Sequence, residues 1–218
     1  DWVAGKEYPR FDVTSSLKDW NGATILQVAD HPLKDIAIHK MEIKDRIRQL
    51  AGELVGEIVG IRRHLHANPE LSFKEHNTAK YIAEKLRDLG LEVQEGIAET
   101  GVVAMLRGKN PDSKVIALRA DIDALPIEEL NDVPYRSINQ GVMHACGHDV
   151  HTASLLGTAA ILKQIENEFQ GTVKFIFQPG EEKAPGGASM MIKDGVLQNP
   201  EPSEILGQHV MTQIPVGK

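Results

Sequence analysis

Residues 141–151 read GVMHACGHDVH and lead directly into a long apolar segment. This stretch holds three histidines, one aspartate and the only cysteine of the chain. Cys146 and His148 place a thiol and an imidazole two residues apart, a spacing that is typical of metal ligands. The alternative is that Cys146 is a small buried apolar residue and that the histidines lie on the surface. Further ligand-type side chains elsewhere in the chain favour the metal site.

The composition is that of an ordinary folded protein. The 218 residues are 41% hydrophobic and 25% charged, which suits one core, or one domain with an appendage. The net charge of -7 argues against a nucleic-acid-binding protein, because no basic run offsets the acidic residues. No apolar run approaches the roughly 20 residues that span a bilayer, so no membrane contact is expected. A cytoplasmic location is the default expectation, and a secreted or periplasmic one stays open.

Helical periodicity begins after an irregular first segment. Residues 1–40 lack a sustained period and are predicted to be an N-terminal extension that packs its aromatic residues on the main body. The main domain is predicted to comprise residues 41–218. Apolar residues three and four positions apart predict a long amphipathic helix over 41–66. A second amphipathic helix is predicted to follow and to end at Gly90.

Short apolar segments between turn residues predict the strands of a sheet. Strands are expected at 91–94, 102–106, 114–118, 172–178 and 204–210, and further helices at 152–165 and 186–193. Strands that alternate with helices predict an α/β fold with a mostly parallel central sheet and helices on both faces. Asp149 is expected to accept hydrogen bonds from free N–H groups at a helix start, with its histidine neighbours pointing outward.

Three strand ends or post-strand loops carry side chains that can bind a metal ion. They are Cys146 with His148, Glu181 with Glu182, and His209. The ends of the strands in a doubly wound sheet share one crevice, so these side chains are expected to meet there. A set of thiolate, imidazole and carboxylate suits Zn²⁺ or Mn²⁺ better than Ca²⁺ or Mg²⁺.

The adjacent glutamates Glu181 and Glu182 suit a divided role. One can bind metal while the other accepts a proton from an attacking water. A pair of glutamates is most often a solvated surface dipeptide, but its place after an apolar strand favours the site. Asp121 and Asp123 leave another apolar strand, where open α/β sheets bind ligands. A hydrogen-bonded turn would explain these two aspartates equally well.

Five blocks of sequence occur in a characteristic order. They are RRHLHANPELSF at 62–73, LRADIDALP at 118–126, MHACGHD at 143–149, QPGEE at 178–182 and GQHV at 207–210. Together they resemble the amidohydrolases related to hippurate hydrolase and the plant auxin-conjugate hydrolases, in the aminoacylase and carboxypeptidase superfamily of metallopeptidases. The resemblance implies a partial, zinc-peptidase-like catalytic domain over residues 41–218, with the lid domain missing.

The resemblance also implies a reaction and a site. The reaction is metal-dependent hydrolysis of the amide bond of N-acyl amino acids or short peptide-like amides. Two divalent ions are implied, Mn²⁺ or Zn²⁺, with Ni²⁺ or Co²⁺ also compatible. The implied metal ligands are Cys146, His148, Glu182 and His209. Glu181 matches the general base, and Asp121 or Asp123 would orient a ligand by a hydrogen bond.

Members of this family are considerably longer than this chain. Their lid and dimerisation domain follows the last strand found here, and the catalytic domain then resumes and supplies one more histidine ligand. The resemblance therefore implies the N-terminal part of a longer or split enzyme, in which a second chain could supply the lid and that histidine. The alternative is a catalytically silent metal-binding or interaction module that retains the fold.

Overall fold

The computed structural model describes residues 40–211 of the chain. The predicted N-terminal extension lies outside the described residues except for Lys40, so it stays a prediction. In chain order the elements are α1 (Lys40–Ala67), α2 (His76–Asp88), β1 (Glu92–Ile97), β2 (Gly101–Arg107), a 3₁₀ turn (Pro111–Ser113), β3 (Val115–Asp121), α3 (His148–Gln164), β4 (Thr172–Gln178), α4 (Gly187–Lys193) and β5 (Glu204–Gly207). The helices and strands predicted from periodicity are therefore confirmed, with shifted ends. No helix among residues 40–211 is long and apolar enough to cross a membrane.

The five strands form one mixed sheet in the order β1-β2-β4-β3-β5. β3 is parallel to β4 and β5, whereas β2 is antiparallel to β1 and β4. The α/β class is confirmed, but the sheet is mixed rather than mostly parallel. Only residues 98–100 separate β1 from β2. Parallel neighbours need a much longer crossover, so this connection forces an antiparallel hairpin.

Helices cover both faces of the sheet, as the strand pattern of β2 illustrates. Val102 and Ala104 belong to the larger core, which α1, α2 and α3 close. Val103 belongs to the smaller core on the opposite face, which includes Met191 of α4. This alternation follows from the two-residue period of side chains along a strand.

Helices α1 and α3 pack closely because α3 has a glycine at their contact. A β-carbon on Gly157 would lie 2.8 Å from Cδ1 of Ile58 in α1, so a larger residue would push the helices apart. This contact fixes the long helix α1 against α3, whose first turn carries part of the candidate site.

The ends of the three parallel strands lie at one edge of the sheet. Asp121 pairs with Gln178 at the ends of β3 and β4, and Gly207 at the end of β5 pairs with Arg119. The segments after these strands therefore leave the sheet side by side. Side chains that are distant in sequence are placed together at this edge, as open α/β sheets do.

Candidate metal centre

The five side chains selected from the sequence as catalytic or metal-binding form two compact groups, and both groups include His148. One ligand atom each of Cys146, His148 and His209 lies within 4.8 Å of the others. His148 forms a second group of the same compactness with Glu181 and Glu182. The Sγ of Cys146 is 3.4 Å from Nε2 of His209, and Nε2 of His148 is 3.9 Å from Oε1 of Glu182. His148 is thus the shared member of both groups.

The orientation of the His148 ring is set by Asp123. Nδ1 of His148 lies 2.9 Å from the carbonyl oxygen and 3.1 Å from the carboxylate Oδ1 of Asp123. Both oxygens only accept, so the ring proton sits on Nδ1 and leaves Nε2 with a free lone pair. Nε2 is buried and has no hydrogen-bond partner. A buried acceptor without a partner is unfavourable, and coordination of a metal ion would satisfy it.

Asp123 also fixes the backbone next to the paired glutamates. Its Oδ2 accepts hydrogen bonds from the hydroxyl of Ser72 at 2.6 Å and from the N–H of Glu182 at 3.0 Å. Asp123 is almost fully buried. Its carboxylate therefore connects His148, the turn that carries Glu181 and Glu182, and the sequence block at 62–73. Nothing in the sequence indicated that this block contacts the site.

His151 is a residue of the site that sequence reasoning missed. Its Nδ1 donates to Oδ1 of Asp121 at 2.6 Å, and its Nε2 accepts from the N–H of Val210 at 2.9 Å. Asp121, His148 and His151 also form a compact group of ligand atoms. Because both nitrogens of His151 are engaged, this ring offers no free lone pair. The available signal was its position three residues after His148, on the same helix face.

The segment that carries His209 lies directly on the turn that carries Cys146. Gly147 is the residue directly before α3, and its φ of 89° lies in the left-handed region that favours glycine. A β-carbon on Gly147 would lie 2.2 Å from Cγ2 of Val210. Only glycine allows this approach, which brings the thiol and the His209 ring together.

The start of α3 differs from its prediction. The helix begins at His148, and the side chains of His148 and His151 are buried rather than pointing outward. Asp149 does accept a hydrogen bond from the N–H of Val150 at 3.0 Å. Its Oδ2, however, faces inward, 2.7 Å from Nδ1 of His66. The histidines face inward because the sheet edge offers carboxylate partners there.

Residues 117–218 match the sequence pattern of peptidase family M20/M25/M40. This match begins inside β3 and includes all of the candidate ligands. The resemblance that the five sequence blocks indicate is therefore confirmed. An N-acyl-L-amino acid amidohydrolase from Geobacillus stearothermophilus is 44% identical over 175 residues, 80% of this chain and 46% of that protein. A hippurate hydrolase from Campylobacter jejuni is 48% identical over 159 residues, 73% of this chain and 40% of that protein.

The structure of a dinuclear metal-binding peptidase of the M20 family from Bacillus subtilis is also similar. It matches with a TM-score of 0.69 and 47% sequence identity, over 74% of this chain and 44% of that chain. The chain therefore spans less than half of the length of these three relatives. The α/β fold of residues 40–211 is the fold of part of an M20 peptidase.

The electrostatics of the candidate site favour a bound cation. Burial, followed by the negative charges of Glu182, Asp121 and Glu181, raises the pKa of the Cys146 thiol to about 12. Burial alone would lower the pKa of His148, but the surrounding carboxylates raise it. For Cys146 burial is the larger cause and the carboxylates add to it, whereas for His148 the carboxylates outweigh burial. Sulfur, nitrogen and oxygen donors around the unpartnered Nε2 of His148 therefore fit a divalent transition-metal ion.

Proposed function

We propose that these residues form part of an enzyme that hydrolyses the amide bond of N-acyl amino acids or short peptide-like amides with two divalent metal ions. The observation that carries the proposal is the buried Nε2 of His148, which has no hydrogen-bond partner and faces the other candidate ligands. Relatives named N-acyl-L-amino acid amidohydrolase and hippurate hydrolase support the substrate class. A relative described as dinuclear supports the number of ions.

Four side chains are proposed to hold the ions, which are Mn²⁺ or Zn²⁺, with Ni²⁺ or Co²⁺ also compatible. The proposed ligands are Cys146, His148, Glu182 and His209. When bound, the ions polarise the amide carbonyl and lower the pKa of water towards neutrality. The remaining histidine ligand and the lid that closes over the substrate would come from a further part of the enzyme or from a second chain.

The two glutamates of the turn are proposed to have different roles, one as a metal ligand and one as the general base. Both glutamates are exposed as whole residues, but the side chain of Glu182 is 24% exposed and approaches His148, which suits a ligand. Glu181 is exposed at the same edge, where water and substrate have access. A glutamate in that position can take a proton from the attacking water and pass it to the leaving amine. Glu181 is therefore proposed as the general base.

Glu181→Gln in the complete enzyme tests this proposal. The variant removes the proton acceptor but no proposed ligand, so turnover of hippurate and N-acetyl amino acids should fall by about 10²- to 10⁴-fold. Metal content by elemental analysis should stay at the wild-type level. Glu201→Gln, at an exposed glutamate on the segment before β5, is the matched control and should leave turnover unchanged.

Two outcomes would contradict the proposal. Retained turnover in Glu181→Gln would overturn the assignment of the general base. A complete wild-type protein that binds metal but hydrolyses none of these amides would favour the alternative, a catalytically silent metal-binding or interaction module that retains the fold.

A further inference from the structure

The turn that carries Glu181 is anchored on both sides of this residue. The N–H of Glu182 donates to Oδ2 of Asp123 at 3.0 Å. The N–H of Gly180 donates to Oε1 of Glu75 at 2.8 Å, a contact between residues 105 positions apart in sequence. Two buried carboxylates thus hold the amide groups that flank the proposed base.

Glu75 is fully buried and has a second hydrogen bond away from the turn. Its Oε2 accepts from the hydroxyl of Thr100 at 2.6 Å. Burial of a carboxylate is costly unless both oxygens are hydrogen-bonded. The hydroxyl of Thr100 thus binds one carboxylate oxygen, and the N–H of Gly180 binds the other. The side chain therefore connects the residue before α2 to the residue before Glu181.

The neighbours of Glu75 close the same turn. Gly180 has a φ of 55°, and a β-carbon there would lie 2.3 Å from Cζ of Phe73. Ser72 donates to the carboxylate of Asp123, which holds Glu182. On the opposite side, the N–H of Gly187 donates to the carbonyl of Gly180 at 2.9 Å. The segment from Ser72 to Glu75 therefore meets the turn directly through Phe73 and Glu75, and indirectly from Ser72 through Asp123.

We infer that Glu75 is a positioning residue that holds the Gly180 amide and thereby aims Glu181 at its reaction partner. This inference rests on the proposed function of Glu181. Without Oε1 of Glu75, the Gly180 N–H loses its partner and the left-handed turn is free to relax. A displacement of about 1 Å at a catalytic group can lower the rate by about 10²-fold. The expected signature is therefore a lower kcat with unchanged metal content.

Substitutions of Glu75 in the complete enzyme separate charge from hydrogen bonding. In Glu75→Gln, the amide oxygen can accept from Gly180 and the amide nitrogen can donate to Thr100, so kcat should stay close to wild type. Glu75→Ala removes both contacts, and Glu75→Asp is one methylene too short to span both donors. In both of these variants kcat should fall by about 10- to 100-fold with little change in KM.

Thr172→Val is the matched control, because it removes the hydrogen bond of a buried threonine to the carbonyl oxygen of Pro111, at the end of β4 away from the Gly180 turn. This variant should lose stability in urea denaturation but keep its kcat. Wild-type kcat in both Glu75→Ala and Glu75→Asp would overturn the inference. An equal loss of kcat in Thr172→Val would also overturn it, since general loosening of the fold would then explain the effect.

Hydrogen exchange of the peptide that spans residues 178–183 decides the inference independently of turnover. Exchange should be at least about tenfold faster in Glu75→Asp than in wild type, and unchanged in Glu75→Gln. If the wild type shows no hydrolysis, the proposed function fails, while this measurement still tests the contact. Unaltered exchange in Glu75→Asp would show that Glu75 does not hold the turn.

Discussion

The ring nitrogen Nε2 of His151 accepts a hydrogen bond from the backbone N–H of Val210 across 2.9 Å. This contact places the ring proton on Nδ1, which donates to Oδ1 of Asp121 at 2.6 Å. The other oxygen of Asp121 accepts from Nη1 of Arg119, also at 2.6 Å. A continuous hydrogen-bonded path thus runs from β3 to the residue after His209. The path fixes the backbone from which the His209 ring projects.

His151→Ala is expected to weaken metal binding although His151 offers no free lone pair. Loss of the ring frees the backbone at Val210, so His209 is no longer aimed at Cys146 and His148. Loss of a contact that orients a ligand typically costs about 10- to 100-fold in metal affinity. Competition with a chromogenic chelator measures this change in the complete enzyme.

His64→Ala is the matched control for His151→Ala, because His64 is an exposed histidine of α1 that stacks on Tyr81 at 4.3 Å. The metal affinity of His64→Ala should equal that of the wild type. Wild-type affinity in His151→Ala would show that the hydrogen bond to Val210 does not position His209.

Cys146→Ala is expected to lower the metal stoichiometry measured by elemental analysis. The Sγ of Cys146 lies 3.4 Å from Nε2 of His209, so both can reach one ion. Because burial and nearby carboxylates raise the pKa of this thiol to about 12, metal binding must displace its proton. Wild-type affinity should therefore rise more steeply with pH than that of the variant.

Ala145→Ser tests whether any change beside the thiol has the same effect. Ala145 is exposed, and a serine there adds a hydroxyl without removing a proposed ligand. Metal content should stay at the wild-type level. If Cys146→Ala also kept the full content, Cys146 would leave the set of proposed ligands.

A buried ionic cluster behind the site is expected to make stability depend on pH. Nδ1 of His66 lies 2.7 Å from Oδ2 of Asp149, and Nε2 lies 3.1 Å from Oε1 of Glu129. Arg62 also pairs with Asp149, and the rings of His66 and Tyr135 meet in a T-shaped contact. Burial would lower the pKa of His66, but the hydrogen bonds to both carboxylates outweigh burial and raise it above 6.5.

The sign of the pH effect follows from the folded and unfolded pKa values of these groups. A raised histidine pKa stabilises the fold fully below pH 6.5, and this contribution is lost as pH rises through the folded value. The pKa values of Asp149 and Glu129 are lowered, although burial opposes this. Their contribution is present above their ordinary values of 3.8 and 4.5 and is lost in stronger acid.

His66→Phe should therefore lose stability mainly near pH 6. Urea denaturation should show a loss of about 1–3 kcal/mol at about pH 6 and a smaller loss at about pH 9. His76→Asn, at an exposed histidine that begins α2, should show no comparable dependence. A loss that is equal at both pH values would contradict a contribution from the charge of His66.

The sequence predicts most elements because their periods are local. The apolar spacing of α1 and the apolar residues of β4, at Val173 and Phe175–Phe177, need only neighbouring residues to be recognised. The direction of β2 is different, because it depends on pairing with β4, in which Val102 meets Phe177 across a wide sequence separation. The mixed sheet was therefore not predicted, even though the short connection before β2 indicated a hairpin.

Two candidate ligands, Glu182 and His209, were predictable because they follow strands, where ligands collect in this class of sheet. Cys146 and His148 were predictable from their spacing. The residues that orient them were not. His151 reaches Val210 across 59 positions, and Glu75 reaches Gly180 across 105 positions. No local period encodes such contacts, so a histidine in a helix and a glutamate before one resemble ordinary surface residues until the fold is known.

Lys174 in β4 anchors the segment that leads into β5. Its side chain is buried, and Nζ donates to the carbonyl oxygens of Val196, Gln198 and Pro200 at 3.0, 2.9 and 2.7 Å. Lys174→Met keeps the length and the apolar stem but leaves these carbonyls without their donor. Buried acceptors without a partner are costly, so unfolding in urea should require about 1–3 kcal/mol less free energy.

Lys193→Met at the exposed end of α4 is the control for Lys174→Met and should change stability by less than about 0.5 kcal/mol. Since β5 leads directly to His209, loosening of residues 196–200 should also weaken metal binding in the complete enzyme. Equal stability of the two lysine variants would mean that water replaces the ammonium group at these carbonyls, and the segment would then be held by its packing against Met191 instead.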